Sequence, residues 1–219
     1  MSAAVTDLNV FSTDAVIARA STRLGHDWPP AHDGRVSDFD LNPGWTATQD
    51  VAAFRPAAVL IALVDRGPET PMDVLLTTRT DDLPSHAGQV AFPGGKLDPG
   101  GPTPRDAALR EAEEEIGLPR GLPDVLGYLD PYYTSTRYAV TPVLAVVPDG
   151  LTLTPEPGEV ANIFRVPLSF LMTPSNHQVH AREWKGSKRR YYAMPYGTHY
   201  IWGVTAGIIR LLHERLFRP

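Results

Sequence analysis

With 219 residues, 42% of them hydrophobic and 21% charged, the chain falls in the ordinary globular range and is long enough to bury one sizeable core. A formal net charge of -5 argues against a protein held to nucleic acid by bulk electrostatics, while leaving a local basic patch open, and the lack of cysteine excludes disulfide frameworks, thiolate zinc sites and thiol catalysis. Met1–Ala20 carries Asp7 and Asp14 and has no basic n-region, the chain ends Phe217, Arg218, Pro219, and no run of roughly 18 apolar residues occurs, so the expectation is a cytoplasmic chain without signal peptide or membrane contact.

In chain order, residues 1–53 read as an N-terminal extension with a short helix over Ala15–Arg23 and then a loop marked by Trp28, Pro29, Pro30, Gly34 and Pro43. No chemistry is assigned to it, and its apolar content leaves a homodimer contact and a simple wrap around the domain equally open. From residue 54 to 219 the pattern is that of one domain. Ala57–Val64 predicts a buried strand, Gly67 and Pro68 a turn, and Val74–Thr78 the return strand of a hairpin. A short strand over Gln89–Phe92 runs into Pro93, Gly94 and Gly95, and a helix follows over Pro104–Ile116. Further strands are expected at Val125–Leu129, Val140–Val147 and Ile163–Val166, then at His177–Trp184 turning at Lys185 and Gly186 into Arg190–Met194. Ile201–Leu216 places Trp202, Ala206, Ile209, Leu212 and Leu216 at helical spacing and reads as a core-facing helix. Strands on both sides of a central helix, with a second helix at the end, point to an α/β fold with a mixed central sheet packed between helices.

The central helix carries the functional argument. Thr103 suits the N-cap with Asp106 three residues on, Pro104 suits the first turn, and Gly117 before Pro119 supplies the stop. At 100° per residue, Leu109, Ala112 and Ile116 share one face while Glu111, Glu114 and Glu115 cluster opposite, with Glu113 outside the cluster. A solvated acidic face is the bland alternative, but two penalties weigh against it. Glu111 and Glu115 are like charges at i,i+4, costing roughly 0.2–0.5 kcal/mol, with only Arg110 among them as counter-charge. Glu114 and Glu115 also stand in the last turn, where the helix dipole disfavours anions by about 0.3–1 kcal/mol each. A divalent cation relieves both, and carboxylates without His or Cys select a hard ion such as Mg2+ or Mn2+. The paired Gly94 and Gly95 allow backbone to approach a phosphate or a metal closely, although a tight connection explains them as well. A Walker A loop is excluded, because Leu97 follows Lys96 where Ser or Thr is required.

Gly95 together with Arg110, Glu111, Ala112, Glu113, Glu114, Glu115, Ile116, Gly117 and Leu118 resembles the Nudix box, whose second half matches at every fixed position. The interval from Gly95 to Arg110 is one residue longer than usual, and Pro102 stands where the box has a glutamate. The longer interval is similar to the coenzyme A pyrophosphatase branch of that family. So are Leu75, Leu76, Thr77, Thr78, Arg79, then Gly88, then Phe92, Pro93, Gly94 and Gly95, and further on Glu159–Leu171, Asn176, His177 and Tyr200–Ala206. Thr80, Pro84 and Gly101 depart from that branch and bear on substrate choice.

The resemblance implies a Nudix-type α/β/α sandwich that hydrolyses a nucleoside diphosphate linked to another moiety, with coenzyme A, split into 4'-phosphopantetheine and adenosine 3',5'-bisphosphate, as the first candidate. It implies metal binding by Glu111, Glu114 and Glu115 with the Gly95 carbonyl, orientation of a glutamate by Arg110, and a general base in Glu111 or Glu159. Arg79, Lys96, Arg137 and the backbone at Gly94 are the substrate-binding candidates, since each can meet a phosphate. Tyr132, Tyr133 and Tyr138 are candidates for stacking on a base, His86 reads as structural, and Lys185, Lys188, Arg189 and Arg190 read as a solvated turn. A dinucleotide or nucleotide-sugar hydrolase and a non-catalytic metabolite sensor are the alternatives. The complete Arg-Glu-Glu-Glu set argues against the sensor, and the acidic balance against RNA decapping.

Overall fold

The computed structural model describes residues 8–27, 37–42, 53–68, 70–98, 100–184 and 186–218. The loop expected at Trp28, Pro29, Pro30, Gly34 and Pro43 lies outside the described residues, as does Lys185 at the expected hairpin turn.

Helix α1 (Thr13–Arg23) precedes strand β1 (Arg55–Asp65), which pairs antiparallel with β2 (Asp73–Arg79) as the expected hairpin. After β3 (Val90–Ala91) and β4 (Gly94–Lys96) comes helix α2 (Pro104–Ile116), then β5 (Asp124–Tyr128), β6 (Tyr132–Tyr133), β7 (Tyr138–Pro148) and β8 (Val160–Pro167). These strands form one mixed sheet in the order β3-β2-β1-β7-β5, with β4 on β1, β6 on β7 and β8 on β2. Only β1 and β7 run parallel, in unbroken register from Arg55 opposite Tyr138 to Asp65 opposite Pro148. That pair is why Ala57–Val64 reads as a continuous apolar run: a strand buried on both faces has no polar alternation. Ala58, Leu60, Ala62 and Val64 turn toward α2, packing with Ala107, Ala108, Ala112 and Ile116. Ile61 and Leu63 turn the other way, into a core shared with Val16 and Ala20 of α1 and with the C-terminal helix. The result is the expected sandwich of a mixed sheet between helices.

Helix α2 has the predicted bounds because its end signals are local. Asp106 N–H donates to Thr103 Oγ1 and Thr103 N–H donates to the Asp106 carboxylate, each at 3.3 Å, while Gly117 ends the helix at φ 69°. After the short helix α3 (Leu168–Leu171), strands β9 (Gln178–Trp184), β10 (Ser187–Tyr196) and β11 (His199–Trp202) make a separate antiparallel sheet, followed by helix α4 (Val204–Leu212) and a π-helical turn over His213–Phe217.

The structure corrects the expected helix over Ile201–Leu216 at its start. Ile201 and Trp202 extend β11 opposite Met194 and Ala193, and the helix begins only after Gly203. Their β-branched and aromatic side chains fit the pleated surface better than a helix start, and β10 supplies the pairing. Ala206, Ile209, Leu212 and Leu216 are core residues as expected.

Around α4, His177 Nε2–H donates to the Leu171 carbonyl at 2.6 Å, and His213 lies beneath it with a ring separation of 5.4 Å. Burial pushes both imidazoles below the usual histidine value of 6.5, and Arg210 pushes them further down while Glu214 opposes. A histidine whose folded pKa is depressed binds fewer protons folded than unfolded, so its contribution to stability is present above about pH 6.5 and lost as pH falls through the folded value. Thermal melts from roughly pH 7.5 down to roughly pH 5 should therefore show a falling midpoint that is shallower in the His177→Phe/His213→Phe double variant; parallel curves would rule the pair out as its source. Thr103→Ala removes the N-cap and should lower unfolding free energy by about 1 kcal/mol in urea titration.

Candidate active site

The site is built where β4 is squeezed between β1 and α2. Leu60 N–H donates to the Pro93 carbonyl at 2.8 Å, and Gly94 and Gly95 then lie opposite Val59 and Ala58. A side chain at either glycine has no room: at Gly94 a Cβ would overlap the Ala58 carbonyl, and at Gly95 it would overlap the carboxylate of Glu111. The glycine pair thus lets a strand of minimal bulk lie directly under the helix. Sequence reading placed a tight connection here and did not predict β4, because Gly-Gly-Lys has little strand propensity of its own.

Glu115 departs from expectation. Its side chain is only 5% exposed, whereas that of Glu111 is 18% and that of Glu114 52% exposed. Helical periodicity placed all three opposite the apolar face, but β4 adds a second contact surface and covers the flank of the helix that carries Glu115. The buried carboxylate accepts from Gly94 N–H at 3.3 Å and faces Arg79 at 3.8 Å. Burial pushes its pKa up to about 7; Gly94 and Arg79 pull it down, while the charges of Glu159 and Glu111 push it up.

The counter-charges are also richer than expected. Arg110 donates to Glu111 at 2.6 Å and to Glu114 at 2.7 Å, and Arg120 pairs with Glu113 at 2.5 Å and approaches Glu114 at 3.9 Å. Arg110, Arg120 and Arg79 thus offset the repulsion that the sequence assigned to Arg110 alone. With Glu114 turned to these arginines, the three carboxylates do not converge: among the described residues no three His, Cys, Asp or Glu side chains stand together in a metal-holding group.

Beside this helix opens a cavity of about 670 Å³, within the usual range for small-molecule sites. Arg79 and Gly94 line it, as do His86, Tyr138, Trp202 and the arginines Arg182, Arg189 and Arg190. The other predicted contacts fall outside the lining. Lys96 is exposed on β4, and Arg137 is exposed in a turn at φ 63°, its N–H donating to the Thr134 carbonyl. Glu159 is exposed, and its carbonyl accepts from Thr80 N–H. Of the three tyrosines, Tyr132 is buried with its hydroxyl donating to Asp38 at 2.9 Å, Tyr133 packs against Phe54 at 5.2 Å, and only Tyr138 reaches the cavity, stacked by Arg55 at 4.2 Å.

The residues read as a solvated turn require a second correction. All three of Lys188, Arg189 and Arg190 sit in β10; Lys188 and Arg190 are exposed and Arg189 is half-buried, and both arginines belong to the cavity lining. The signal that could have found them is hairpin register, which sets Arg189 opposite Arg182 across β9. Residues 37–42 form another wall that the sequence did not indicate. Asp38 also accepts from Ser135 N–H at 2.8 Å, while Asn42 clamps β10 by donating to the Arg190 carbonyl and accepting from its N–H, both at 2.9 Å.

Among the described residues the charged lining of the cavity is four arginines and one aspartate, a balance that favours polyanions. The NUDIX domain model matches residues 53–186, more than half of the chain, and the chain belongs to the Nudix family as a hydrolase of nucleotide-linked substrates. It is 44% identical over 162 residues to the Nudix hydrolase NudL of Photorhabdus laumondii, covering 74% of this chain and 85% of that protein. The NudL protein of Yersinia enterocolitica is 43% identical over 160 residues, covering 73% and 80% respectively. Among solved structures, the Nudix hydrolase RenU of M. smegmatis is 27% identical over 52% of this chain and 71% of its own, with a TM-score of 0.45. No helix among the described residues is long and apolar enough to cross a membrane.

The overlap at Gly95 makes a direct test. Gly95→Ala should displace the Glu111 carboxylate and cut hydrolytic turnover by about 10²-fold while leaving far-ultraviolet circular dichroism unchanged. Wild-type turnover in that variant would show that the close approach has no part in the reaction.

Proposed function

We propose that this Nudix hydrolase cleaves the diphosphate of coenzyme A or its derivatives, releasing 4'-phosphopantetheine and adenosine 3',5'-bisphosphate. The observation that carries the reading is the pairing of Arg79 with Glu115. Arg79 is the last residue of the stretch Leu75–Arg79 that resembles the coenzyme A branch, and it both lines the cavity and stands 3.8 Å from the buried glutamate of the box. A diphosphate held by Arg79 lies beside the carboxylate helix by construction.

Nudix hydrolases use divalent metal ions, and the residues here suit one. The donors are oxygens only, as Mg2+ or Mn2+ requires. The missing Cβ of Gly95 leaves its backbone open beside Glu111, and Glu115 is buried with its charge only partly offset. Glu111, Glu114 and Glu115, with the Gly95 carbonyl, would hold the ion once Glu114 turns from Arg110 and Arg120, to which it is paired here. When bound, it supplies charge neutralisation on the diphosphate worth several kcal/mol.

The chain's own groups do the rest. Arg110 holds Glu111 and Glu114 in place through its two short ion pairs. The Gly94 N–H fixes one oxygen of Glu115, and Arg79 takes the phosphate from the cavity side. Water activation falls to Glu111 or to Glu159, whose charge is felt at Glu115 from the β8 side. Lys96 and Arg137, exposed outside the cavity lining, have at most a peripheral part in binding. Residues 1–53 act as an extension to the domain formed by residues 54–219, and Asp38, Phe39 and Asn42 of that extension line the cavity.

Incubation with coenzyme A and Mg2+ or Mn2+, followed by mass spectrometry, should yield both products only when the metal is present. Glu114→Gln and Glu115→Gln should each abolish turnover with the fold intact, and Glu159→Gln should lower kcat by about 10²- to 10⁴-fold if it is the base. Hydrolysis of dinucleotides or nucleotide sugars with coenzyme A untouched would overturn the substrate, and full activity in both box variants would overturn the site.

A further inference from the structure

The cavity has two cationic regions on different parts of the fold. Arg79 belongs to β2 of the main sheet and points at Glu115, whereas Arg182, Arg189 and Arg190 belong to the β9–β10 hairpin of the second sheet. One diphosphate beside the carboxylate helix accounts for the first region and leaves the second without a role in that chemistry.

The hairpin wall is constructed rather than incidental. Register places Arg182 directly opposite Arg189, so two guanidinium groups project from the same face at neighbouring positions. Burial pushes the Arg189 guanidinium below its ordinary pKa; Asp38 opposes this, and the like charge of Arg182 adds to it. Asp38 is the single carboxylate of the lining among the described residues, and it accepts from the Tyr132 hydroxyl and the Ser135 N–H. The Arg182 guanidinium lies over Trp202 at 4.8 Å, and Trp202 packs edge-on to Tyr191 at 5.3 Å. The backbone under Arg190 is clamped on both sides by Asn42. A like-charged pair on a braced strand, beside two aromatic rings in a cavity, is complementary to a compact dianion attached to a flat ring system.

We propose that Arg182 and Arg189, with Trp202 and Tyr191, form a subsite for a second phosphate of the substrate: a phosphomonoester on the nucleoside, separate from the diphosphate that is cleaved. This rests on the reading of the chain as a nucleoside-diphosphate hydrolase and narrows its substrates to nucleotides bearing that extra phosphate. The subsite selects by charge at the nucleoside end, while Arg79 and the glutamate helix act on the diphosphate.

The test uses ligands that differ by one phosphate. Isothermal titration of the full chain with adenosine 3',5'-bisphosphate and with adenosine 5'-monophosphate reads the subsite without turnover; the bisphosphate should bind at least tenfold more tightly. Arg182→Gln, a change at an exposed side chain, and Arg189→Gln should each bring the ratio to within about threefold, whereas Arg182→Lys should retain part of it. In parallel, kcat/KM is measured for coenzyme A against dephospho-coenzyme A and for NADPH against NADH, where the phosphorylated member of the better pair should be preferred through KM. Equal binding of the two adenosine phosphates by the wild type, or a ratio untouched by both glutamine variants, overturns the subsite even if diphosphates are hydrolysed. Discrimination between the adenosine phosphates with no hydrolysis of any diphosphate supports the subsite and overturns the activity.

Discussion

A carboxylate withdrawn from water beside a strand made of glycine organises this molecule. Gly94 and Gly95 let β4 pass under α2, and Glu115 is held beside that strand by one backbone N–H and one arginine. Burial of a charge without full compensation is costly, and the pKa pushed up to about 7 expresses that cost directly. The parallel β1–β7 pair supplies the rigid floor, since β4 takes its register from β1 and α2 packs across the same strand. The fold and the site are therefore not separate layers of description: the approach that seats Glu111 and Glu115 is the approach that closes the sheet on the helix.

The cavity side obeys a different logic. There the charged groups are mostly cations, exposed or partly so, and they come from β2 and the β9–β10 hairpin, which meet only in the folded state, with Asp38 and Asn42 beside them. Arg79 joins the two halves, because it lines the cavity and faces the buried glutamate. On the proposed reading, substrate capture and bond cleavage share that residue, and the remaining selectivity falls to elements outside the carboxylate helix.

What could be read in the sequence follows from how local each determinant is. Helix α2 was legible to the residue, since Thr103, Pro104, Asp106 and Gly117 act within one turn of its ends. Strands β1 and β7 were legible as apolar runs. Strand β4 was not, because its formation depends on β1 rather than on its own side chains, and β11 was not, because Ile201 and Trp202 satisfy helical spacing while β10 captures them as a strand. The burial of Glu115 escaped periodicity for the same reason: a helical wheel knows one buried face, and this helix has two. Arg182, Arg189 and Asn42 are functional candidates only through cross-strand register and long-range hydrogen bonds, which no window of sequence contains.

The clamp between Asn42 and the backbone of Arg190 spans 148 positions of the chain. Through it, a stretch that precedes the first strand of the sheet fixes the position of a hairpin near the other end. A chain reduced to the sheet and its two covering helices would retain the carboxylates and lose one bank of the cavity. On the proposed reading, cleavage and the choice of what is cleaved therefore depend on different lengths of sequence, joined at one asparagine.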